Sequence, residues 1–395
     1  MTTLIVDVLL ALLAVCLTIP CLVMLVECLA ATPDREPVTM PAGHRPRIAI
    51  LVPAHNEEIV IHDTVANLRA CLDPIDRLLV VADNCTDRTA ELAHLAGAEV
   101  VCRSAPELEG KGYALAFGIE SLSQSPPDAV VLVDADCRVE DGGIERLALR
   151  AVQSGRPVQA EYVLRPQGEA EPRTAISYLA LMVRNRVRPR GLNRLRLPCP
   201  LTGSGMAFPW ALLRKAPALG ANLVEDMVLG IELALFGAPP IACSTVAVTS
   251  YLPLGMHAQM NQRRRWESGH LGALCAYGPR LLWAGLVKNR LDLIAMAFDL
   301  MVPPLALLAM LLTCASVVSL LHAALGGSIA PLLTLIGATV GLSVAVFVAW
   351  RRFAFDVLPL ATLSRIPLYV AWKFPLYAAY LFRRKPRRWE RTTRA

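Results

Sequence analysis

Two aspartates separated by one residue, Asp134 and Asp136, offer the carboxylate oxygens that Mg²⁺ and Mn²⁺ bind in proteins. They directly follow the apolar run Ala129 to Val133, which is typical of a buried strand. The same spacing also occurs by chance and at helix N-caps, so the preceding strand is what gives the pair its meaning. Mg²⁺ held by one or two carboxylates usually binds substrate phosphates as well. The pair therefore predicts a metal site for a phosphorylated substrate.

This pair belongs to a pattern in which short apolar runs alternate with helical stretches. The other runs are Arg47 to Pro53, Leu78 to Ala82 and Ala98 to Cys102, and the helical stretches are Glu58 to Cys71, Asp87 to Ala96 and Tyr113 to Ser121. Short β-branched runs between helices indicate parallel strands joined by right-handed crossovers. The predicted fold class is therefore α/β, with a doubly wound sheet.

Polar side chains follow two of the other strands, in the stretches Pro53 to Glu58 and Asp83 to Asp87. Ligands of open α/β sheets bind beyond the carboxyl ends of the strands, so we expect these stretches to meet Asp134 and Asp136 at one edge. Several carboxylates in one cleft are costly unless a cation lies among them. The predicted cofactor is Mg²⁺ or Mn²⁺.

A lysine between glycines, Lys111 in Glu109-Gly110-Lys111-Gly112, could reach a phosphate from a loop or lie in a solvated turn. The surrounding residues do not form a Walker loop, and no GxGxxG follows the first strand. The sequence thus predicts phosphate binding without either of these nucleotide-binding loops.

Three groups downstream also carry chemistry: Thr202 to Gly205, the pair Glu225-Asp226, and Gln262 to Trp266. The acidic pair precedes a mostly apolar helical stretch, Met227 to Phe236, where it would also suit the helix dipole. The three arginines at 263–265 would equally suit a juxtamembrane basic patch, and Trp266 an interfacial anchor.

Taken in this order, the residues resemble the membrane-bound family 2 glycosyltransferases, which include cellulose, hyaluronan and chitin-oligosaccharide synthases and ceramide glucosyltransferase. The resemblance is carried by Pro53 to Glu57, Asp83-Asn84, Gly110-Lys111-Gly112, Asp134-Ala135-Asp136, Thr202 to Gly205, Glu225-Asp226 and the QxxRW element Gln262 to Trp266. It covers about Ile48 to Trp266 and the flanking membrane segments. It implies a nucleotide-sugar-binding sheet of the GT-A type, with transmembrane helices on both sides.

The resemblance also implies a role for each matching residue. Those expected to bind a UDP-sugar are Pro53, Ala54, Glu57, Asp83, Lys111, Asp134, Gln262 and Arg265. Ala54 and Glu57 would border the uracil and ribose, with Asp83 near the base. Asp134 and Asp136 would hold the metal, which meets the diphosphate.

The same resemblance places Asp226 as the general base, with Glu225 beside it in the catalytic pair. A single base and a single displacement would invert the sugar carbon. The guanidinium of Arg265 suits the charge that develops on the leaving diphosphate. Trp266, Gly203 and Ser204 would contact the acceptor, the tryptophan with its flat face and the small residues by close backbone approach.

The composition argues for a membrane protein. The chain has 395 residues, of which 55% are hydrophobic and only 18% charged, whereas soluble domains carry about 25% charged residues. Leu4 to Val26, Leu300 to Leu321 and Ile329 to Trp350 are each long enough to cross a bilayer. The first run lacks the basic start of a signal peptide, which favours a retained anchor.

The charge distribution predicts three crossings with the catalytic region and basic tail in the cytoplasm, as in a multi-pass protein of the plasma or inner membrane. The segment from Phe353 to Phe382, which three prolines interrupt, is expected to lie in the interface or to re-enter the membrane. A pair of crossings would also keep this orientation.

The sequence predicts five divisions of the chain. They are an anchor at 1–30, a glycosyltransferase domain at 46–270, interfacial helices at 271–299, a transmembrane hairpin at 300–350 and an interfacial or re-entrant segment with a basic tail at 351–395.

Two residue types exclude other classes. The eleven cysteines form neither a disulfide framework nor a zinc-ligand pattern, which suits a reducing compartment. Six arginines lie close together at 184, 186, 188, 190, 194 and 196. Without interleaved aromatic residues they favour contact with anionic headgroups or an anionic lipid acceptor, so no nucleic-acid partner is expected.

The functional expectation is an inverting, membrane-embedded glycosyltransferase that extends a surface polysaccharide or oligosaccharide from a UDP-sugar. Single-sugar transfer to a membrane lipid is the main alternative, and a non-catalytic scaffold or transporter is a remote one. Polymer synthases usually have more membrane helices, and they often have Thr-Glu-Asp where this chain has Val224-Glu225-Asp226. Processive synthesis therefore stays open, as does the identity of any export partner.

Overall fold

The computed structural model describes residues 2–33, 45–166, 172–216, 224–252 and 256–382. The strands are β1 Ile48–Ala54, β2 Arg77–Asp83, β3 Glu99–Arg103, β4 Ala129–Leu132, β5 Arg138–Val139, β6 Val158–Arg165, β7 Met206–Pro209 and β8 Ile241–Tyr251. The first helices are α1 Thr2–Ala30, α2 Ile61–Ala70, α3 Thr89–Leu95, α4 Lys111–Leu122, α5 Gly143–Ser154, α6 Pro172–Met182, α7 Arg188–Arg194, α8 Trp210–Leu213 and α9 Glu225–Phe236. The others are α10 Met256–Val287, α11 Leu291–Leu300, α12 Leu305–Ala324, α13 Ala330–Phe353, α14 Ala361–Ser364 and α15 Ile366–Phe382.

Four strands form the parallel part of the sheet, in the order β3-β2-β1-β4. The bounds of these strands differ from those of the four apolar runs by no more than one residue. A helix precedes each of β2, β3 and β4 in the chain. Their side chains are almost wholly buried in β1, β2 and β4, because helices cover such a sheet on both faces. The alternation of strands and helices was therefore read correctly from the sequence.

The other half of the sheet is mixed and was not anticipated. Strand β7 pairs antiparallel with β4 and with β6, β6 runs parallel to β8, and β5 pairs antiparallel with β8. The result is one eight-stranded sheet with the order β3-β2-β1-β4-β7-β6-β8-β5. Because β7 and β8 come from residues far along the chain, they bring Thr202 to Gly205 and Ser250 to the same edge as the end of β4.

The chain divides into two compact units. One contains the described residues of Asp34–Gln167 and Leu195–Met296 and includes the whole sheet. The other contains the described residues of Met1–Pro33, Gly168–Arg194 and Ala297–Arg388. The segment 172–194 thus groups with the apolar helices, although it lies between residues 46 and 270 in sequence.

Three helices in the described part of the chain are long and apolar enough to cross a membrane: α1, α12 and α13. They pack around a core that includes Met24, Leu308 and Leu335. Asp7 in α1 accepts hydrogen bonds from Nε2 of His322 and from the backbone of Ser328, each at 2.8 Å. These contacts tie the start of α1 to the connection between α12 and α13.

Two of the six clustered arginines are turned inward, which corrects the expectation that the whole run faces anionic headgroups. Arg188 is 8% exposed and binds Glu27 at 2.5 Å and Asp299 at 2.6 Å. Arg190 is 4% exposed and donates to the carbonyl oxygens of Thr32 and Pro33. The reason is that buried carboxylates and the carbonyl oxygens after the end of α1 need partners, and arginine supplies several donors.

The segment after α13 turns at residues 354–360 and then forms α14 and the seventeen-residue helix α15. Tyr369 and Lys373 on α15 are buried, and the Tyr369 hydroxyl lies 3.1 Å from Oγ of Ser177 in α6. Arg35 and the basic tail from residue 383 onward lie outside the described residues.

Candidate active site at the sheet edge

The ammonium of Lys111 is the centre of the site. It lies 2.5 Å from Oδ1 of Asp134, 2.6 Å from the carbonyl oxygen of Gly203 and 3.7 Å from Oε1 of Glu225. Lys111 is the first residue of α4, and Gly110 before it has a φ of 136°, a conformation that side chains rarely adopt. The glycine thus lets the chain turn from the loop into the helix with the lysine at the sheet edge.

Asp134 and Asp136 stand where β4 ends, as the sequence predicts. With Cys137 they form a group whose ligand atoms all lie within 4.8 Å of one another. The two carboxylates suit Mg²⁺ or Mn²⁺, whereas the thiol of Cys137 is a soft donor that these cations do not prefer. Within the described residues this donor set fits a divalent cation.

Two serines hold these acids. The backbone N–H of Asp134 donates to Oγ of Ser204 at 3.0 Å, and Ser204 Oγ in turn donates to Sγ of Cys137 at 3.1 Å. Oγ of Ser250 donates to Oδ2 of Asp136 at 2.6 Å. Ser204 is fully buried and Ser250 is 1% exposed, so water does not compete for these bonds.

The loop Thr202 to Gly205 passes between Lys111 and Asp226. Gln159 in β6 fixes it, because its amide donates to the carbonyl of Ser204 at 2.9 Å and accepts from the backbone of Thr202 at 2.8 Å. Gly203 has a φ of 96°, and a Cβ there would lie 3.2 Å from Oδ2 of Asp226. Only glycine therefore suits this position.

Glu225 and Asp226 form the first turn of α9, so the helical and the catalytic interpretations of this pair are compatible. Oδ1 of Asp226 accepts from the backbone N–H of Met227 at 2.8 Å. The other oxygen, Oδ2, lies on the side of Gly203. One oxygen of Asp226 is thus fixed by the helix start, and the other is directed towards the loop.

The carboxylates around Lys111 outnumber its single positive charge. Burial by itself would lower the pKa of Lys111, but Asp134 and then Glu225 outweigh burial and raise it. Burial raises the pKa of Asp134; Lys111 opposes this shift, and the charge of Asp136 adds to it. The pKa of Glu225 is raised in the same way, first by burial and then by Asp226, against the attraction of Lys111. The carboxylates therefore repel one another despite Lys111, and a further cation would relieve that repulsion.

Two asparagines with positive φ connect the loops after β1, β2 and β3 in turn. Asn56, with φ 54°, accepts from the backbone of Thr86 at 2.7 Å, and Asn84, with φ 50°, accepts from the backbone of Ala105 at 2.7 Å. Asparagine tolerates this conformation better than most residues. The two bridges set the shape of the edge beside the acids.

Asp83 is 6% exposed and pairs with Arg103 at 2.5 Å, across the neighbouring strands β2 and β3. His55 lies beside it, with Nδ1 2.7 Å from the carbonyl oxygen of Asp83. The carboxylate of Asp83 thus has a cation of its own, whereas Asp134 and Glu225 share Lys111.

The remaining residues of the predicted site fall on two elements. Pro53 and Ala54 end β1, paired with Val81 and Ala82, and the backbone of Glu57 donates to Oγ1 of Thr89 at 2.7 Å. The QxxRW residues Gln262, Arg265 and Trp266 are half-buried on the long helix α10.

Helix α10 packs on α9 next to the acidic pair. A Cβ on Gly269 would lie 2.5 Å from Val224, which shows how closely the two helices approach. Arg280 on α10 also pairs with Glu232 on α9 at 2.6 Å. Arg265 acts electrostatically on Glu225 and favours its charged form. The structure therefore brings at least one QxxRW residue near Glu225.

Several residues that support the acids were not predicted from the sequence: Arg103, Cys137, Gln159 and Ser250. Their signal was weak because each lies within or beside a strand, where the pattern indicates only burial. Gln159 and Ser250 are polar residues in otherwise buried strands, and such residues need hydrogen-bond partners. A polar residue in a buried strand therefore indicated that Gln159 and Ser250 have hydrogen-bond partners.

A partly parallel α/β sheet with an acidic edge bridged by Lys111 is what the sequence resemblance implies for a nucleotide-sugar-binding protein. A family model described as glycosyltransferase-like family 2 matches residues 46–269, and the chain belongs to this family. The family and the fold class expected from the sequence are both confirmed.

Two curated relatives match part of the chain. A probable glycosyltransferase of Bacillus subtilis (strain 168), YdaM, is 32% identical over 110 residues, which are 26% of this chain and 26% of the relative. The low-salt glycan biosynthesis hexosyltransferase Agl6 of Haloferax volcanii is 33% identical over 112 residues, 28% of this chain and 25% of the relative. The matched region thus spans about a quarter of the length of these relatives.

Among solved structures, the mannosyltransferase PcManGT of Pyrobaculum calidifontis, in complex with GDP-Man and Mn²⁺, is similar in fold. The TM-score is 0.52 at 19% identity, covering 88% of this chain and 100% of that chain. The likeness shows the fold, which is the GT-A arrangement that the sequence motifs imply.

Proposed function

We propose that this protein is a membrane-embedded, inverting glycosyltransferase that transfers a sugar from a UDP-sugar to a growing surface polysaccharide or oligosaccharide. The observation that carries the proposal is the position of Lys111 between Asp134 and Glu225. The acids that would hold a metal and the pair that includes the base thereby lie around one ammonium group. Scaffold and transporter functions require no such arrangement.

The donor would lie along the ends of β1, β2 and β4. Pro53, Ala54, Glu57 and Asp83 would contact the nucleoside, as the family resemblance implies. Asp134 and Asp136 would hold Mg²⁺ or Mn²⁺, which when bound neutralises charge on the diphosphate. PcManGT was solved with GDP-Man, so a guanosine donor belongs in any test beside uridine donors.

The transfer is a single displacement. The acceptor oxygen forms a bond to the anomeric carbon, the bond from that carbon to the diphosphate oxygen breaks, and the electron pair leaves with the nucleoside diphosphate. The carboxylate of Asp226 takes the acceptor's proton; its Oδ1 accepts from the backbone of Met227, and its Oδ2 lies on the side of Gly203. One displacement inverts the sugar carbon, so an α-linked donor gives a β-linked product.

The cationic side chains would stabilise the leaving group. Lys111 places a charge beside Asp134, and the guanidinium of Arg265 matches phosphate oxygens. Gln262 would add a hydrogen bond to the nucleotide. A preorganised cation near developing charge is typically worth about 10²- to 10³-fold in turnover.

The acceptor would approach past the loop that contains Gly203, with the face of Trp266 available to a sugar ring. Gly203 lacks a side chain next to Oδ2 of Asp226, which leaves room for a hydroxyl group there. Ser204 in the same loop is fully buried and contributes indirectly, because its hydroxyl accepts from the backbone N–H of Asp134.

The membrane arrangement follows from the apolar helices. We propose that α1, α12 and α13 cross the bilayer, that the sheet unit lies in the cytoplasm, and that residues 354–382 lie at the interface or re-enter. The basic pair Arg351-Arg352 at the end of α13 supports this orientation, since positive charge stays inside.

Transfer of one sugar to a membrane lipid is the second candidate. The observation in its favour is that the described residues contain only three helices of membrane-spanning length, few for a polymer channel. Product analysis distinguishes the two acceptors: a ladder of sugar lengths means polymer, and a single organic-soluble product means glycolipid.

The test is nucleotide release by the purified full-length chain in lipid nanodiscs, with UDP- and GDP-sugars and with Mg²⁺, Mn²⁺ or EDTA. We expect release from one or a few UDP-sugars, dependent on the metal and absent in Asp226→Asn. No release above that variant for any donor and either metal, with acceptor extracts present, would contradict the proposal.

A further inference from the structure

One oxygen of Asp136 is fixed by a residue that no sequence motif includes. Oγ of Ser250 donates to Oδ2 of Asp136 at 2.6 Å. Ser250 lies near the end of β8 and is 1% exposed. A hydroxyl bond to a carboxylate is stronger than one between neutral groups, so this contact orients the carboxylate.

The strand that carries Ser250 is held within the sheet. Strand β8 runs parallel to β6, with Leu164 opposite Ser250. Because this pairing fixes the end of β8, the hydroxyl of Ser250 has a defined position beside Asp136.

Asp136 is also one of the donors of the candidate metal site. It belongs with Asp134 and Cys137 to the group whose ligand atoms lie within 4.8 Å of one another, and Sγ of Cys137 donates to Oδ1 of Asp136 at 3.7 Å. The bond from Ser250 therefore holds a carboxylate of this group.

We propose that Ser250 is a positioning residue that holds the carboxylate of Asp136 in one orientation and so favours Mg²⁺ and Mn²⁺ over Ca²⁺. This inference rests on the proposed function, which supplies the metal. Ca²⁺ accepts six to eight oxygen ligands in flexible geometry, whereas Mg²⁺ requires near-octahedral geometry. The bond from Ser250 restricts the rotation by which the carboxylate of Asp136 would adapt to Ca²⁺.

The test is Mn²⁺ binding to the full-length chain in detergent, measured by electron paramagnetic resonance, with Ca²⁺ as competitor. Ser250→Ala should bind Mn²⁺ about tenfold more weakly, the lower end for loss of a group that orients a ligand. Ca²⁺ should also compete more effectively in that variant. Ser250→Thr, which keeps the hydroxyl, should restore the wild-type behaviour.

Ser154→Ala is the matched control, because Ser154 is exposed and its hydroxyl bonds within α5. A wild-type chain that binds no Mn²⁺ would overturn the metal site and this inference with it. Wild-type binding with an unchanged Ca²⁺ to Mn²⁺ preference in Ser250→Ala would overturn the inference alone. If Ser250→Ala fails to fold, the comparison of Ser250→Cys with wild type decides in the same way, because a thiol is a much weaker hydrogen-bond donor.

Discussion

Lys111 and Asp134 form an ion pair of 2.5 Å that connects the start of α4 with the end of β4. The same ammonium reaches Glu225 at the start of α9, so one cation joins elements that lie far apart in the chain. The contacts of Lys111 therefore bring three separate sequence motifs together in one candidate site.

Replacement of Lys111 by methionine should remove most transfer activity. Asp134 and Glu225 would lose their shared cation, and the leaving diphosphate would lose a nearby charge, so we expect turnover to fall by about 10²-fold or more. The melting temperature should also fall, because buried carboxylates without a partner are costly. Nucleotide release and thermal unfolding measure both effects.

Lys288→Met is the control for this change, since Lys288 is exposed. If Lys111→Met matched that control in both turnover and melting temperature, the ion pair would have no functional importance.

Asp226→Asn should abolish transfer and leave UDP binding nearly unchanged. The amide keeps the shape of the side chain but does not accept a proton, and a general base typically contributes about 10²- to 10⁴-fold. Turnover and calorimetric UDP binding should be measured on the same preparation. Asp63→Asn is the control, because the Asp63 side chain is 83% exposed. Unchanged turnover in Asp226→Asn would remove Asp226 from the role of base.

Asp136→Ala should weaken UDP binding only when a divalent metal is present. Asp136 is expected to act on the diphosphate through the metal and not directly, so EDTA should bring wild type and variant to the same affinity. Titration of UDP with Mg²⁺, Mn²⁺ or EDTA gives the comparison. Equal wild-type affinity with Mg²⁺ and with EDTA would mean that the metal site is wrongly assigned.

Gly203→Ala should reduce turnover by more than its loss of folded protein accounts for. A Cβ there would lie 3.2 Å from Oδ2 of Asp226 and 3.8 Å from Nζ of Lys111, in a backbone conformation with φ 96°. Gly155→Ala has comparable backbone strain, with φ 64° and nothing within 4 Å of the new Cβ.

Both glycine variants should therefore lose about 1–2 kcal/mol of stability from the left-handed conformation. Only Gly203→Ala should also lose activity after correction for the folded fraction. An equal loss of activity in the two variants would argue against a role for this loop at the base.

Arg188→Met should strongly destabilise the unit that contains the apolar helices. Glu27 is 3% exposed and Asp299 is 8% exposed, and both depend on Arg188. Removal of one partner from a buried ion pair typically costs about 3–5 kcal/mol. Denaturant titration in mild detergent measures the loss. Arg194→Met, at an exposed arginine of the same helix, should change little; equal stability of the two variants would contradict the assignment.

The alternation of apolar runs and helical stretches predicted the parallel half of the sheet because each buried strand is a short, continuous β-branched run. Strands β7 and β6 did not stand out in this way. Met206–Pro209 has only four residues, and Val158–Arg165 contains Gln159 and Glu161, which are buried in the structure. Pairing across the sheet satisfies these groups, and no local pattern records that pairing.

The six clustered arginines also show that a local sequence pattern does not reveal partners from distant parts of the chain. Their spacing indicated a basic surface, yet Arg188 and Arg190 are buried. Their partners, Glu27, Asp299 and the carbonyl oxygens after α1, come from distant parts of the chain. Ion pairing over more than a hundred residues has no signature in a local charge run.

The sequence alone determined the α/β class, the family, the apolar helices and the identity of the acids, because residue type and short-range spacing specify these properties. Tertiary structure alone decided that Lys111 joins Asp134 to Glu225, that Ser250 fixes Asp136, and that Arg188 neutralises two buried acids. Each of these contacts joins strands and helices that meet only after folding. Electrostatic attraction and hydrogen bonding depend on the distance between groups in space, which local sequence spacing does not give.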